Sequence, residues 1–178
     1  MAAWEPMLER LVRERHRALI AYAYLLTRDV RDAEELVQDA LVATFSGRAH
    51  FQSIGHAEAY VRRAIASRFV DAQRKRSRER ARVDRVEVSM VDPGYEAEVV
   101  GRVDVASALA ELPPRVRACI VLRFLADQST SETASALRLS EGAVKRYVSD
   151  GIAALNTMLG TVVTNEETAP VRPAGGVR

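Results

Sequence analysis

A chain of 178 residues, 48% hydrophobic and 28% charged, can build one domain or two small ones and is too apolar to remain unfolded. Its single cysteine, Cys119, excludes an intrachain disulfide framework, and Glu5, Glu9, Arg10 and Arg13 break the apolar core that a signal peptide needs. No window approaches membrane-spanning length, so the expectation is a cytoplasmic protein that is neither exported nor inserted in a membrane.

The formal net charge of +2 averages an acidic segment against a basic one. Arg62, Arg63, Arg68, Arg74, Lys75, Arg76, Arg78, Arg80, Arg82 and Arg85 face only Asp71, Glu79 and Asp84 over the same stretch, a local excess suited to an anionic partner. Lys75 and Lys145 are the only lysines among 26 basic residues.

In chain order, Leu8, Leu11, Val12, Leu19, Tyr22, Leu25 and Leu26 form a helical stripe over Met7 to Leu26, interrupted at Thr27 to Asp29. A second helix follows in Asp32 to Phe45, DAEELVQDALVATF, capped by Asp29 or Asp32 and antiparallel to the first. Ala33, Leu36, Val37, Ala40, Leu41 and Phe45 form its inner face. Asp32, Glu35 and Asp39, with Gln38 and Val42 beside them, form an acidic outer face suited to docking a basic partner. By itself such a face is also what any solvated amphipathic helix shows.

Ser46 to Gly55, SGRAHFQSIG, reads as a loop. Helical pattern resumes at His56, with Tyr60, Val61, Ala64, Ile65 and Ala72 inward and Arg62, Arg63, Arg74, Lys75 and Arg76 outward, the last three opening the run RKRSRER that can contact phosphates. Residues 81–101 lose periodicity around Asp92, Pro93 and Gly94 and read as a flexible linker. A helix from Glu96 to Leu112 then gives way to one at Pro113 to Ala126, since proline tolerates a first turn. Thr130 to Leu137, a turn at Arg138 and Leu139, and a helix from Ser140 to Leu155 make a helix-turn-helix. Ser140 caps that last helix. Val144, Val148, Ile152 and Leu155 face inward, while Glu141, Gly142, Lys145, Arg146 and Ser149 lie where a recognition helix meets base edges and phosphates. The tail after Gly160 has no pattern and reads as disordered.

The expected architecture is therefore all-α: a helical domain over 1–80, the linker over 81–101, a helix-turn-helix domain over 102–160 and a disordered tail over 161–178. His16, His50 and His56 lack metal-ligand spacing, and there is no phosphate-binding glycine loop or nucleophile elbow. No enzyme activity, cofactor, metal or small-molecule substrate is expected.

Order and spacing of these parts, over roughly residues 8–159, resemble the extracytoplasmic-function (ECF, group IV) sigma factors of bacterial RNA polymerase. DAEELVQDALVATF is similar to their region 2.2, AYVRRAIASRFVDAQRKR to regions 2.3 and 2.4, and ALAELPPRVRACIVLRFLADQSTSETASALRLSEGAVKRYV to region 4. The resemblance implies that Asp32, Glu35, Gln38, Asp39 and Val42 dock on the β′ clamp helices of core polymerase, with the β flap as a second contact. It implies that Arg48, His50 and Phe51 belong to a loop capturing a flipped minus 10 base, Phe51 being the stacking candidate. Arg62, Arg63, Ser67, Arg74, Lys75 and Arg76 would then meet minus 10 DNA, and Glu141, Gly142, Lys145, Arg146 and Ser149 the minus 35 element. An anti-sigma factor is a further implied partner.

Three departures from the family pattern carry expectations. Ser67 stands where relatives usually have asparagine, Arg138 replaces a turn glycine, and VKRYVSDG is less basic than usual. Two other functions fit parts of the chain. A stand-alone helix-turn-helix regulator explains residues 96–159 but leaves the acidic helix without a job. A helical adaptor binding RNA or protein explains only the basic run.

Overall fold

The computed structural model describes residues 4–47, 50–82 and 100–160. Among them stand seven α-helices: α1 (Glu5–Thr27), α2 (Val30–Ser46), α3 (Ile54–Arg82), α4 (Val100–Glu111), α5 (Pro114–Phe124), α6 (Thr130–Leu137) and α7 (Glu141–Leu159).

Local chemistry sets the ends. Arg28 adopts a left-handed conformation (φ 60°) and its N–H closes α1 on the Tyr24 carbonyl at 2.8 Å. Asp29 then starts α2 by accepting the Asp32 N–H at 2.8 Å. Ser129 and Glu132 form a reciprocal capping box at the head of α6. Ser140 accepts the Ala143 N–H at 3.1 Å to open α7. Pro113 is the residue before α5, and Pro114 occupies its first turn.

The first unit packs α1, α2 and α3 on one another around Leu11, Leu19, Leu26, Val37, Phe45, Val61 and Ile65. At 29 residues α3 is about 43 Å long, and from Asp71 to Ala81 it is almost wholly exposed. In the second unit α5 lies against α7 over Val116, Cys119, Ile120, Val144, Val148 and Ile152. Gly151 is what permits that crossing. A Cβ there would stand 2.8 Å from Ile120 Cγ1 and 2.9 Å from Val116 Cγ1.

The two units touch. Helix α3 packs on α5 and α6, α1 packs on α4 and α5, and the buried apolar set runs from one unit into the other. Helix α3 therefore has buried residues toward both sides, which corrects the single inner face expected for it. Phe69 and Val70 are buried, whereas Tyr60 is 45% exposed and Ala72 lies open. Ala81 and Arg82 continue α3, and Val100 and Gly101 start α4. Residues 83–99, the rest of the expected linker, and the tail over 161–178 lie outside the described residues.

Candidate nucleic-acid interface

Three polar faces gather the residues singled out from the sequence. On α2, burying Ala33, Val37, Ala40 and Leu41 turns Glu35, Gln38 and Asp39 to solvent, with Val42 67% exposed among them. An apolar side chain that exposed, ringed by two carboxylates and an amide, makes a small recognition surface. Asp32, at the head of the helix, is half-buried and pairs with Arg76 of α3 at 3.3 Å. It thus ties the acidic face to the basic one.

The second face is α3 with the loop before it. Arg48 lies outside the described residues, and His50 is exposed. Phe51 is half-buried, its ring 5.5 Å from Phe45, 5.8 Å from His56 and 5.6 Å from Tyr60. It anchors the loop against α2 and α3, and Tyr60 supplies the more accessible ring, with the Arg63 guanidinium 5.4 Å from its centroid. The cations of α3 divide into two sets. Arg74, Lys75 and Arg76 are exposed and hold only long or surface pairs, with Asp71 and Glu79 at 4.0 Å and with Asp32. Such pairs contribute little and yield readily to a phosphate.

Arg62 and Arg63, expected to face outward, instead face the second unit, and so does Ser67, expected among the DNA contacts. Arg62 donates to Glu58 Oε1 at 2.6 Å and to the Leu125 carbonyl at 2.9 Å, and lies over the Tyr22 ring at 5.3 Å. Burial pushes the Tyr22 hydroxyl well above its ordinary pKa, so this ring carries no charge. Arg63 pairs with Glu132 of α6 at 3.6 Å. Ser67 lines a groove between α3 and α6 with Tyr60, Arg63, Ala64, Glu132, Ser135 and Ala136.

The third face is the head of α7, where Glu141, Gly142, Lys145, Arg146 and Ser149 are all exposed while Val144 and Val148 are buried. Arg146 lies 5.2 Å from the Tyr147 ring centroid. Asp150 is exposed beside them and lowers the positive potential of this face. Arg138, between α6 and α7, has φ 54°, the left-handed backbone for which glycine is the usual residue.

Sequence reasoning missed Arg117. From α5 its guanidinium donates to the Leu26 carbonyl at the end of α1, and to Ala110 and Leu112 in its own unit. It also lies 5.6 Å from the Phe69 ring centroid. Burial holds its pKa below the ordinary arginine value, Glu111 opposing that and Arg28 adding to it. A signal was available: Arg117 interrupts the apolar run from Val116 to Leu122, where a charge needs a buried partner. Gly151 was missed too, although it continues the buried stripe of Val144 and Val148 at helical spacing.

No described helix is long and apolar enough to cross a membrane. Residues 11–79 match the family model for sigma-70 region 2, and residues 102–155 match the one for sigma-70 region 4. The chain is 32% identical over 151 residues to the RNA polymerase sigma-E factor of Streptomyces coelicolor, covering 85% of each chain. It is 28% identical over 156 residues to the ECF RNA polymerase sigma factor SigM of Mycobacterium tuberculosis, covering 88% of this chain and 79% of that one. Among solved structures, the sigma factor RpoE of Bartonella quintana, in complex with the anti-sigma factor NepR, superposes with a TM-score of 0.62 at 24% identity over 90% of this chain and 98% of that one. CnrH, in complex with the cytosolic domain of CnrY, gives 0.54 at 24% identity over 86% of this chain and 87% of that one, a likeness of fold alone.

Proposed function

Because this chain belongs to the sigma-70 family, in its extracytoplasmic-function group, we propose that it binds core RNA polymerase through α2 and directs initiation at promoters read by α3 and α7. The observation that carries this reading is the exposed face of Glu35, Gln38, Asp39 and Val42, which a DNA-binding module alone has no use for. On this reading those four, with Asp32, dock on the clamp helices of β′, and the second unit adds a contact to the β flap. Opposite charge speeds encounter and sets register, while Val42 supplies apolar contact at the centre.

Once docked, the protein acts by assembly rather than covalent chemistry. Arg74, Lys75 and Arg76 follow the phosphates of the melting minus 10 element, with Arg62, Arg63 and Ser67 along the same helix. The loop with Arg48, His50 and Phe51 captures an extruded base. Extrusion costs a few kcal/mol, which stacking and hydrogen bonds must offset. Phe51 shapes that pocket through its packing, and Tyr60 offers the ring beside it. Lys145, Arg146 and Ser149, with Glu141 and Gly142, enter the major groove of the minus 35 element. The protein works in the cytoplasm with polymerase, and an anti-sigma factor is a further partner.

The test is transcription by sigma-free core polymerase on fragmented genomic DNA, with 5′ ends mapped. Discrete new starts sharing upstream elements are expected. No starts and no binding to core, beside a working control sigma, would favour a stand-alone helix-turn-helix regulator. The sparse positive charge of α7, with Asp150 beside it, also predicts that scrambling the minus 35 element lowers transcription less than scrambling the minus 10 element. Equal losses would overturn that ranking.

A further inference from the structure

The chain's one tryptophan, Trp4, stands at the head of α1 and is half-buried. Its ring lies 6.5 Å from that of Phe45, in the last turn of α2, tilted by 50°. Phe45 is buried and meets a second ring edge-on, that of Phe51 in the loop between α2 and α3, at 5.5 Å. From Phe51 the contacts branch to His56 at 5.8 Å and to Tyr60 at 5.6 Å. Rings at these separations attract one another beyond what burial alone gives. The first turn of α1 is thereby joined, ring to ring, to the loop before α3, although the whole of α1 and α2 separates them in sequence.

Few side chains fasten that loop. Ser53 fixes its end to α3, taking the His56 N–H on its hydroxyl and the Ala57 N–H on its carbonyl, both at 3.1 Å. Before Ser53, Phe51 is the one described loop side chain that packs on the core, with His50 and Gln52 exposed on either side of it. Where Phe51 sits therefore depends on Phe45, and Trp4 is among the groups that cover Phe45. Close packing transmits a shift of one ring to the next. At the outer end of the set His56 and Tyr60 are exposed, so a displaced Phe51 alters the surface that an extruded base would meet.

We infer that Trp4 is a positioning residue for minus 10 recognition, acting through Phe45 and Phe51 on the loop that receives the extruded base and touching no DNA itself. The inference rests on the reading of that loop as the base-capturing one. It gives the head of α1 a part in base discrimination. Trp4 belongs neither to the acidic face of α2 nor to the head of α7, so its loss leaves core docking and minus 35 reading as they are.

Trp4→Ala and Trp4→Phe test this by transcription with core polymerase on promoters that carry each base in turn at every minus 10 position. Phenylalanine keeps a ring against Phe45, whereas alanine removes it. With Trp4→Ala the preference for the best base over the worst at the captured position is expected to fall about fivefold, roughly the worth of one aromatic pair. Trp4→Phe is expected to keep that preference within about twofold. A fall spread equally over all promoter positions, or accompanied by lost affinity for core, overturns the inference, since a merely loosened fold would give it. Wild type without any minus 10 preference would overturn the functional reading, whereas a wild-type preference kept in full by Trp4→Ala sinks the role of Trp4 alone. Two measurements on the free chain check the physical link without polymerase. Amide exchange over residues 46–55 is expected to quicken about fivefold in Trp4→Ala with α5, α6 and α7 unchanged. From the other end, Phe51→Leu in a chain with its native Trp4 is expected to shift the emission of that sole indole. Unchanged exchange over the loop, or unchanged emission, would overturn the inference.

Discussion

The outer faces of α2 and α3 look alike in the sequence, each a polar stripe on an amphipathic helix, yet they meet different fates in the fold. Glu35, Gln38, Asp39 and Val42 stand in solvent, whereas Arg62 and Arg63 are engaged by acceptors just past α5 and on α6. Periodicity reports which side a helix turns away from its own core. Whether a second unit then covers that side depends on contacts between residues some 60 to 70 positions apart, which no local pattern contains.

The sharpest way to break the contrast is to reverse the free face. Glu35→Arg with Asp39→Arg replaces two attractions by two repulsions at the proposed clamp contact, and affinity for core should fall by about 100-fold or more. Titration of labelled core measures it. Helix content should be unchanged, because neither side chain is buried. Unchanged affinity would mean that α2 is only a solvated surface.

A substitution inside the second unit asks how much of the covering depends on its packing. Gly151→Ala forces a methyl group against Ile120 and Val116, both of which must shift. Overpacking of this kind costs about 1–3 kcal/mol, and a thermal melt should show a lower midpoint. The opposite change is expected at the turn. Arg138→Gly relieves a left-handed arginine at φ 54° and should stabilise by up to about 1 kcal/mol, less the extra chain entropy that glycine gives the unfolded state. A melt without a gain would show that the Arg138 side chain compensates elsewhere.

The smallest effect concerns pH. Glu132 has a folded pKa below its ordinary value, first because the Ser129 backbone N–H donates to it, then through the Ser129 side chain, with Arg63 a lesser cause. A depressed carboxylate contributes stability that is present above its unfolded pKa of about 4.3 and is lost as pH falls through the lower folded value. The difference in melting temperature between wild type and Glu132→Gln should therefore hold steady near neutrality and shrink in acid. A difference that persists at the lowest pH would assign the effect to packing instead.

Much of the fold was legible because its punctuation is local. Thr27 to Asp29 ends one helix and begins another, Thr130–Leu137 has the expected bounds, and Ser140 caps α7 where its side chain reaches the Ala143 N–H. Legibility failed at α3, which packs against α1 and α2 on one side and α5 and α6 on the other. A helix with two buried sides has no single stripe, so periodicity puts Tyr60 and Ala72 inside and gives no sign of Phe69 and Val70. At the candidate site, the head of α7 and the acidic face of α2 are exposed as expected. The grip on Arg62 has no local signal, because Leu125 contributes through its backbone carbonyl, a group every residue carries.

The choice of arginine over lysine leaves a chemical consequence. Lys75 near the end of α3 and Lys145 near the head of α7 are both exposed, and they are the only side-chain amines in the chain. An acylating reagent can therefore neutralise at most one side-chain charge on each proposed DNA-reading helix and none on any other. Partial acylation sorts the molecules into four classes by side-chain state, and separating those classes would read the two helices independently without altering a single codon.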